Sequence, residues 1–194
     1  MPRAQGCKSL PWGAFGTGLL LAVLVAPARG QFVRPVEEWL PQLRPGMWLK
    51  VEGRLDPAGG LRAREVKVLH GQRDESEISS LVTSIDAQHR SFATAAGIRV
   101  ETNSRTGVEG SKKTRSSFSA LRVGDRVEAE GQLQKNGALL ADEIEIQKRQ
   151  EDREEDEELT GRIESVEVGS RMIVLLGTRV YFDDKTKNKS PFPE

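Results

Sequence analysis

The chain has 194 residues, with 29 basic and 29 acidic side chains, a formal net charge of zero and a single cysteine. That balance argues against a generic nucleic-acid binder, which needs a basic footprint to displace counterions, and one cysteine excludes a disulfide-stapled scaffold. Aromatic residues make up 5% and charged residues 30%, so any core must be small and mostly aliphatic.

Residues 1–28 read as a secretory signal peptide. Arg3 and Lys8 form a basic start, residues 13–25 are an apolar run containing LLLAVLV, and Ala26, Pro27 and Ala28 offer a cleavage site of small residues. The run is short for a bilayer-spanning helix, so export is expected, with no transmembrane segment left after cleavage. Removing Arg3 and Lys8 with the peptide turns a balanced chain into one of net charge −2 and takes away Cys7, the lone cysteine. The expected location is periplasmic or extracellular.

Residues 36–43 hold a short helical turn in which Trp39, Leu40 and Leu43 share a face, limited by Pro41. Trp39 is expected as a core plug. The stretch 43–68, LRPGMWLKVEGRLDPAGGLRAREVKV, recurs 78 residues later at 121–146, LRVGDRVEAEGQLQKNGALLADEIEI. Leu49, Val51, Gly53 and Leu55 alternate with Lys50, Glu52 and Arg54; Val127, Ala129, Gly131 and Leu133 alternate with Glu128, Glu130 and Gln132. A period of two with one charged face predicts a half-buried strand. The glycine on the inward face predicts a sharp bend or a close backbone approach. Each partner strand slips phase, between Ala63 and Val66 and between Ala141 and Ile144, which predicts the same β-bulge twice.

A second pattern also occurs twice, at 78–102 and 159–182. Ile78, Ser80 and Val82 match Leu159, Gly161 and Ile163, and each series slips phase before Ile85 or Val166. Two shorter strands follow in both copies, with Gly97 and Gly177 at the turn between them. Residues 78–146 therefore hold a complete unit: three strands, an irregular stretch with a helical turn, and a closing hairpin. Residues 36–69 hold only the end of such a unit, and 159–186 only its beginning. A long bent first strand followed by this order resembles the oligonucleotide/oligosaccharide-binding (OB) fold. The expected architecture is all-β, with two small OB-like five-stranded barrels. One is complete at 78–146; the other is assembled from the half-units 36–69 and 159–186, with a charged linker at 147–158 and a disordered tail at 187–194. Closure between two chains, as a domain-swapped homodimer, is the alternative to closure within one.

The segments LRVGDRVEAEG, GALLADEIEI and LTGRIESVEV together resemble the bacterial exported domain-of-unknown-function family 5666, over residues 43–182. The resemblance implies tandem strand-rich units behind a signal peptide, and it brings no catalytic residue.

Reactive chemistry has little support in the sequence. His70 and His89 lack a second histidine or a cysteine at ligand spacing, and no nucleophile elbow, phosphate-binding loop or zinc-protease motif is present. No catalytic residue, metal or cofactor is expected. The run 147–158, QKRQEDREEDEE, has seven acids and three bases but lacks the glycine punctuation of a calcium loop. Its opposite is 103–117, NSRTGVEGSKKTRSS, with four bases and one acid and no apolar period, read as a flexible loop. Arg105, Lys112, Lys113 and Arg115 in that loop are the candidate anion-binding residues. Phe92 and Phe182 alternate in phase with core aliphatics, whereas Tyr181 faces out. The function expected is an exported, non-enzymatic β-barrel binding or interaction module for an unidentified ligand or protein partner. One alternative is a structural protein that assembles through strand edges. Another is a binder of anions, single-stranded nucleic acid or glycans through the basic loop, of which nucleic acid is least supported by the charge balance.

Overall fold

A computed structural model describes residues 34–110, 113–147 and 156–190. The segment read as a signal peptide and most of the stretch expected as a charged linker lie outside these residues. The described chain is mostly β: thirteen strands, one short α-helix and two 3-10 turns.

Helix α1 (Val36–Trp39) runs into a 3-10 turn at Leu40–Gln42 and places Val36, Trp39 and Leu40 in the core. Strands β1 (Trp48–Leu55) and β2 (Leu61–Leu69) form the first twin hairpin. They are followed by β3 (Ser76–Asp86), β4 (Ser91–Thr94), β5 (Arg99–Glu101), β6 (Gly107–Gly110) and β7 (Thr114–Arg115). A second 3-10 turn at Phe118–Ala120 leads to β8 (Arg126–Leu133) and β9 (Leu139–Gln147), the second twin hairpin. The chain then forms β10 (Glu157–Glu167), β11 (Met172–Leu175), β12 (Thr178–Tyr181) and β13 (Lys187–Asn188).

The pairings run from β1 to β2, β12, β11 and β10 and return to β1, closing a five-stranded barrel from elements at both ends of the described chain. A second succession joins β8, β9, β5, β4 and β3 and returns to β8. Where the two rings meet, β3 and β10 pair antiparallel, with Ile78 opposite Leu159. The apolar residues of both rings belong to one continuous buried cluster, which includes Leu49, Ile78, Leu139, Leu159 and Ile173.

Phase slips in the sequence correspond to register shifts in the ladder. The shift between Glu52 and Gly53 leaves Arg64 as the extra residue of β2, and the shift between Glu130 and Gly131 leaves Asp142 as the extra residue of β9. The long strands β3 and β10 shift in the same way after Val82 and after Ile163. At each hairpin bulge the opposing glycine is obligatory. A Cβ on Gly53 would collide with the Arg62 carbonyl oxygen, and one on Gly131 with the Leu140 carbonyl oxygen.

Three segments are more ordered than their composition suggests. Residues 187 and 188, expected to begin a disordered tail, form β13 alongside β2. Lys189 ion-pairs with Glu65 at 3.3 Å, and the Val68 amide donates to Ser190 Oγ at 2.6 Å. Glu157 and Glu158, expected in the linker, are the first residues of β10. The basic stretch expected as a flexible loop contributes β6, parallel to β9, and β7 folded back on it. Side-chain hydrogen bonds explain the order. Thr106 Oγ1 donates to the Ala141 carbonyl at 2.7 Å, as Thr186 Oγ1 does to Ala63 at 2.9 Å.

Beside the β3–β10 seam, Arg126 and Glu157 form a buried ion pair at 3.6 Å. Burial pushes the Glu157 carboxyl up, against hydrogen bonds from Ser80 and the attraction of Arg126. Such a pair contributes little net stability when intact, but losing one partner strands a buried charge.

Gly131→Ala should cost about 1–3 kcal/mol, the usual range for forcing atoms into packed structure. Gly169→Ala, whose added carbon meets nothing within 4 Å, should cost little. Urea unfolding of the two variants checks the difference; equal midpoints would show that the bulge tolerates a side chain.

Candidate anion-binding groove

The β3–β4 turn builds one wall of a concavity in the ring of β3, β4, β5, β8 and β9. Asp86 caps this turn. Its carboxylate accepts from the amides of Gln88 and His89 at 3.1 and 3.0 Å and contacts His89 Nδ1 at 2.7 Å. The bond from the His89 amide and then the His89 ring hold the Asp86 carboxyl below its ordinary range. Arg90 closes the turn in the left-handed region, at φ 50°, and its guanidinium lies 5.7 Å from the Phe118 ring centroid. A cation held over an aromatic face is fixed in place without losing its charge.

The opposite wall is the former basic loop. Val108 is buried against β9, while the Ser116 amide donates to the Val108 carbonyl at 2.8 Å and returns the chain toward the second 3-10 turn. Arg122, just beyond that turn, is tied back by Nη1 donating to the carbonyls of Ser119 and Leu121 at 2.6 and 2.8 Å. Between these walls lies a groove of about 1050 Å³. Its apolar lining comes from Ile85, Val108, Phe118 and Leu121, and its basic side chains are Arg90, Lys113, Arg115 and Arg122. Among the described residues Glu109 is the one acid in the lining, opposite Arg115 in the β6–β7 ladder.

Of the residues singled out from sequence, Lys113 and Arg115 line this groove. Arg105 is exposed outside it, its amide donating to Asn103 Oδ1 at 2.7 Å, and Lys112 lies outside the described residues. Arg90 and Arg122 were missed because they belong to other segments that only the closed ring brings alongside. Phe118 occupies the place of Leu40 in its repeat, an apolar residue three before the leucine that follows the turn. Among the aromatics, Phe92 and Phe182 are buried and Tyr181 is partly exposed. Trp39 is buried with its ring edge against Phe182, centroids 5.1 Å apart.

The outer face of the seam has the opposite charge. Glu65, Glu52, Glu158, Ser79, Glu128 and Glu145 stand in register across β2, β1, β10, β3, β8 and β9. In the adjacent row Lys67, Lys50 and Thr160 continue into Glu77, Glu130 and Glu143, and Lys50 ion-pairs with Glu158 at 2.5 Å. Burial and then a hydrogen bond with Glu128 push the Glu77 carboxyl up. Burial and then Glu75 raise Glu130, and burial and then Glu158 raise Glu52. Among the described residues no group of three or more His, Cys, Asp or Glu side chains could hold a metal ion.

Two stretches, residues 29–67 and 81–145, match the family described as Domain of unknown function (DUF5666), together more than half of the chain. The chain belongs to this family. Each matched stretch contains most of one twin hairpin. No curated protein matches. Among solved structures, the chain is similar to a copper(II)-bound variant of CusF from Escherichia coli, at 18% identity and a TM-score of 0.30, over 41% of this chain and 100% of that one. No helix among the described residues is long and apolar enough to cross a membrane.

The raised carboxyls set a pH dependence. Each binds its proton more tightly folded than unfolded, so folding takes up protons and stability falls as pH rises from the unfolded value of 4.5 through the folded one. Acidifying from about pH 7 to about pH 5 should therefore raise the melting temperature, the reverse of ordinary acid denaturation. Glu77→Gln should be more stable than the parent at neutral pH and show a flatter profile, as differential scanning fluorimetry can check.

Proposed function

We propose that the chain is an exported, non-enzymatic binding module that takes an anionic ligand in the groove between the β3–β4 turn and the β6–β7 hairpin. The observation that carries this is the lining itself: Arg90, Lys113, Arg115 and Arg122 surround one cavity to which the described residues contribute a single carboxylate, Glu109. In a chain of zero net charge, four cations around one groove are a local concentration of field, and such a cleft favours anions. Export rests on the N-terminal segment read as a signal peptide. The non-enzymatic part rests on the absence of a recognisable catalytic motif from the sequence.

The partial exposure of Phe118 beneath Arg90 suits an ester or acidic sugar better than a run of stacked bases, which requires successive aromatic platforms. Assembly through strand edges has less support, because the available edges of β3 and β10 are already joined to each other.

A sulfated oligosaccharide such as a heparin fragment is the direct probe. Binding to the full chain should weaken as salt is raised, and Arg90→Ala combined with Arg115→Ala should reduce affinity by about tenfold, the equivalent of one good charged contact. Binding that is indifferent to both substitutions would remove the groove from the account.

A further inference from the structure

The internal repeat supplies a filled version of the same site. Matching hydrogen bonds fix the correspondence: the Phe182 amide donates to the Arg171 carbonyl at 2.9 Å, as the Thr102 amide does to Arg90 at 3.1 Å. Arg171 and Arg90 share the left-handed conformation, at φ 49° and 50°. Likewise the Leu43 amide donates to Leu40 and the Leu121 amide to Phe118, both at 3.1 Å, so the two 3-10 turns coincide. Counting back from those turns, Val36, Glu37 and Trp39 correspond to Thr114, Arg115 and Ser117.

In the ring that contains Arg171 the position is occupied by the chain's own α1. Val36 and Trp39 are each 1% exposed, with the indole against Phe182, and Glu37 ion-pairs with Arg171, which also meets Asp184 at 2.9 Å. In the other ring each component is missing. Ser117 stands for the indole, Thr102 for Phe182, Arg115 for Glu37 and Ser104 for Asp184. Arg90 has thus lost both carboxylates, the position equivalent to Glu37 carries a cation instead, and among the described residues Arg90 has no acidic partner. The space left is the groove of about 1050 Å³.

We propose that this groove receives a peptide segment of a partner protein in which a glutamate precedes a tryptophan by two residues. The carboxylate would bridge Arg90 and Arg115 as Glu37 serves Arg171, and the indole would enter the apolar lining beside Phe118 and Leu121. This rests on the anion reading above and narrows its ligand. The partner is not α1 of a second copy, because Val36 and Trp39 are sealed in their own ring. A peptide fits better than a free anion because the equivalent occupant is itself a turn of polypeptide delivering acid and indole together.

The test is a fluorescence-anisotropy titration of the full chain with labelled Val-Glu-Glu-Trp amide, alongside Val-Gln-Gln-Trp and Val-Glu-Glu-Ala amides. Saturable binding of the first, weakened about tenfold in either control peptide and by Arg90→Ala or Arg115→Glu, is expected. A variant combining Thr114→Val, Arg115→Glu and Ser117→Trp should plug its own groove, lose peptide binding and melt higher. The exposed single substitution Arg115→Glu keeps the test decisive should that triple variant fail to fold. If heparin fragments bind but no peptide does, this proposal falls and the anion reading stands; if neither binds, both fall. Peptide binding unchanged by Arg90→Ala and Arg115→Glu would also overturn it.

Discussion

The pairing of β3 with β10 is the constraint on which the rest depends. Each is an eleven-residue strand whose far half, past the bulge, pairs with the next strand of its own ring. The near half of each would present an unpaired edge, and an open edge invites pairing with another chain. The structure spends the two edges on each other, around Ile78 and Leu159, residues that occupy the same place in their repeats. Two like elements joined in this antiparallel way make the two rings mutually necessary. The buried Arg126–Glu157 pair lies beside this seam and links β8 of one ring to β10 of the other. Its geometry, rather than its net energy, is what the seam requires.

Much of this could be read from the sequence because it is written in period-two alternation. Leu49 and Val51, or Val127 and Ala129, announce inward faces, and each slip of phase announces a bulge. The mostly-β fold and the closed five-stranded arrangement follow from that. What alternation cannot announce is order held by side-chain hydrogen bonds. The 103–117 stretch has too few apolar residues to declare a strand, yet Thr106 pins it to Ala141 and Val108 then aligns with Ile144. The same device, through Thr186, orders residues past 186 that composition assigned to a tail.

The groove was half legible for the same reason. Lys113 and Arg115 stood out as a local cluster of charge, whereas Arg90 and Arg122 are single basic residues in unremarkable turns. Only ring closure puts them around one cavity. Conversely, the glutamates on the seam are scattered in sequence, one per alternating position, and register alone gathers them into an acid-rich face interrupted by Lys50 and Lys67. Opposite fields on one molecule of zero net charge are therefore a product of topology, not of composition.

The two rings also differ in when they can form. Partners in the ring of β3, β4, β5, β8 and β9 are local or separated by a few tens of residues, while β1 must wait for β10, with Val51 and Leu159 as one pair. Non-local pairings are slow because loop closure must precede any gain. The contiguous ring can therefore close first and offer the edge of β3 as a template on which β10 is laid down. Trp39, whose indole meets Phe182 only once the split ring is complete, is a natural reporter of that last step.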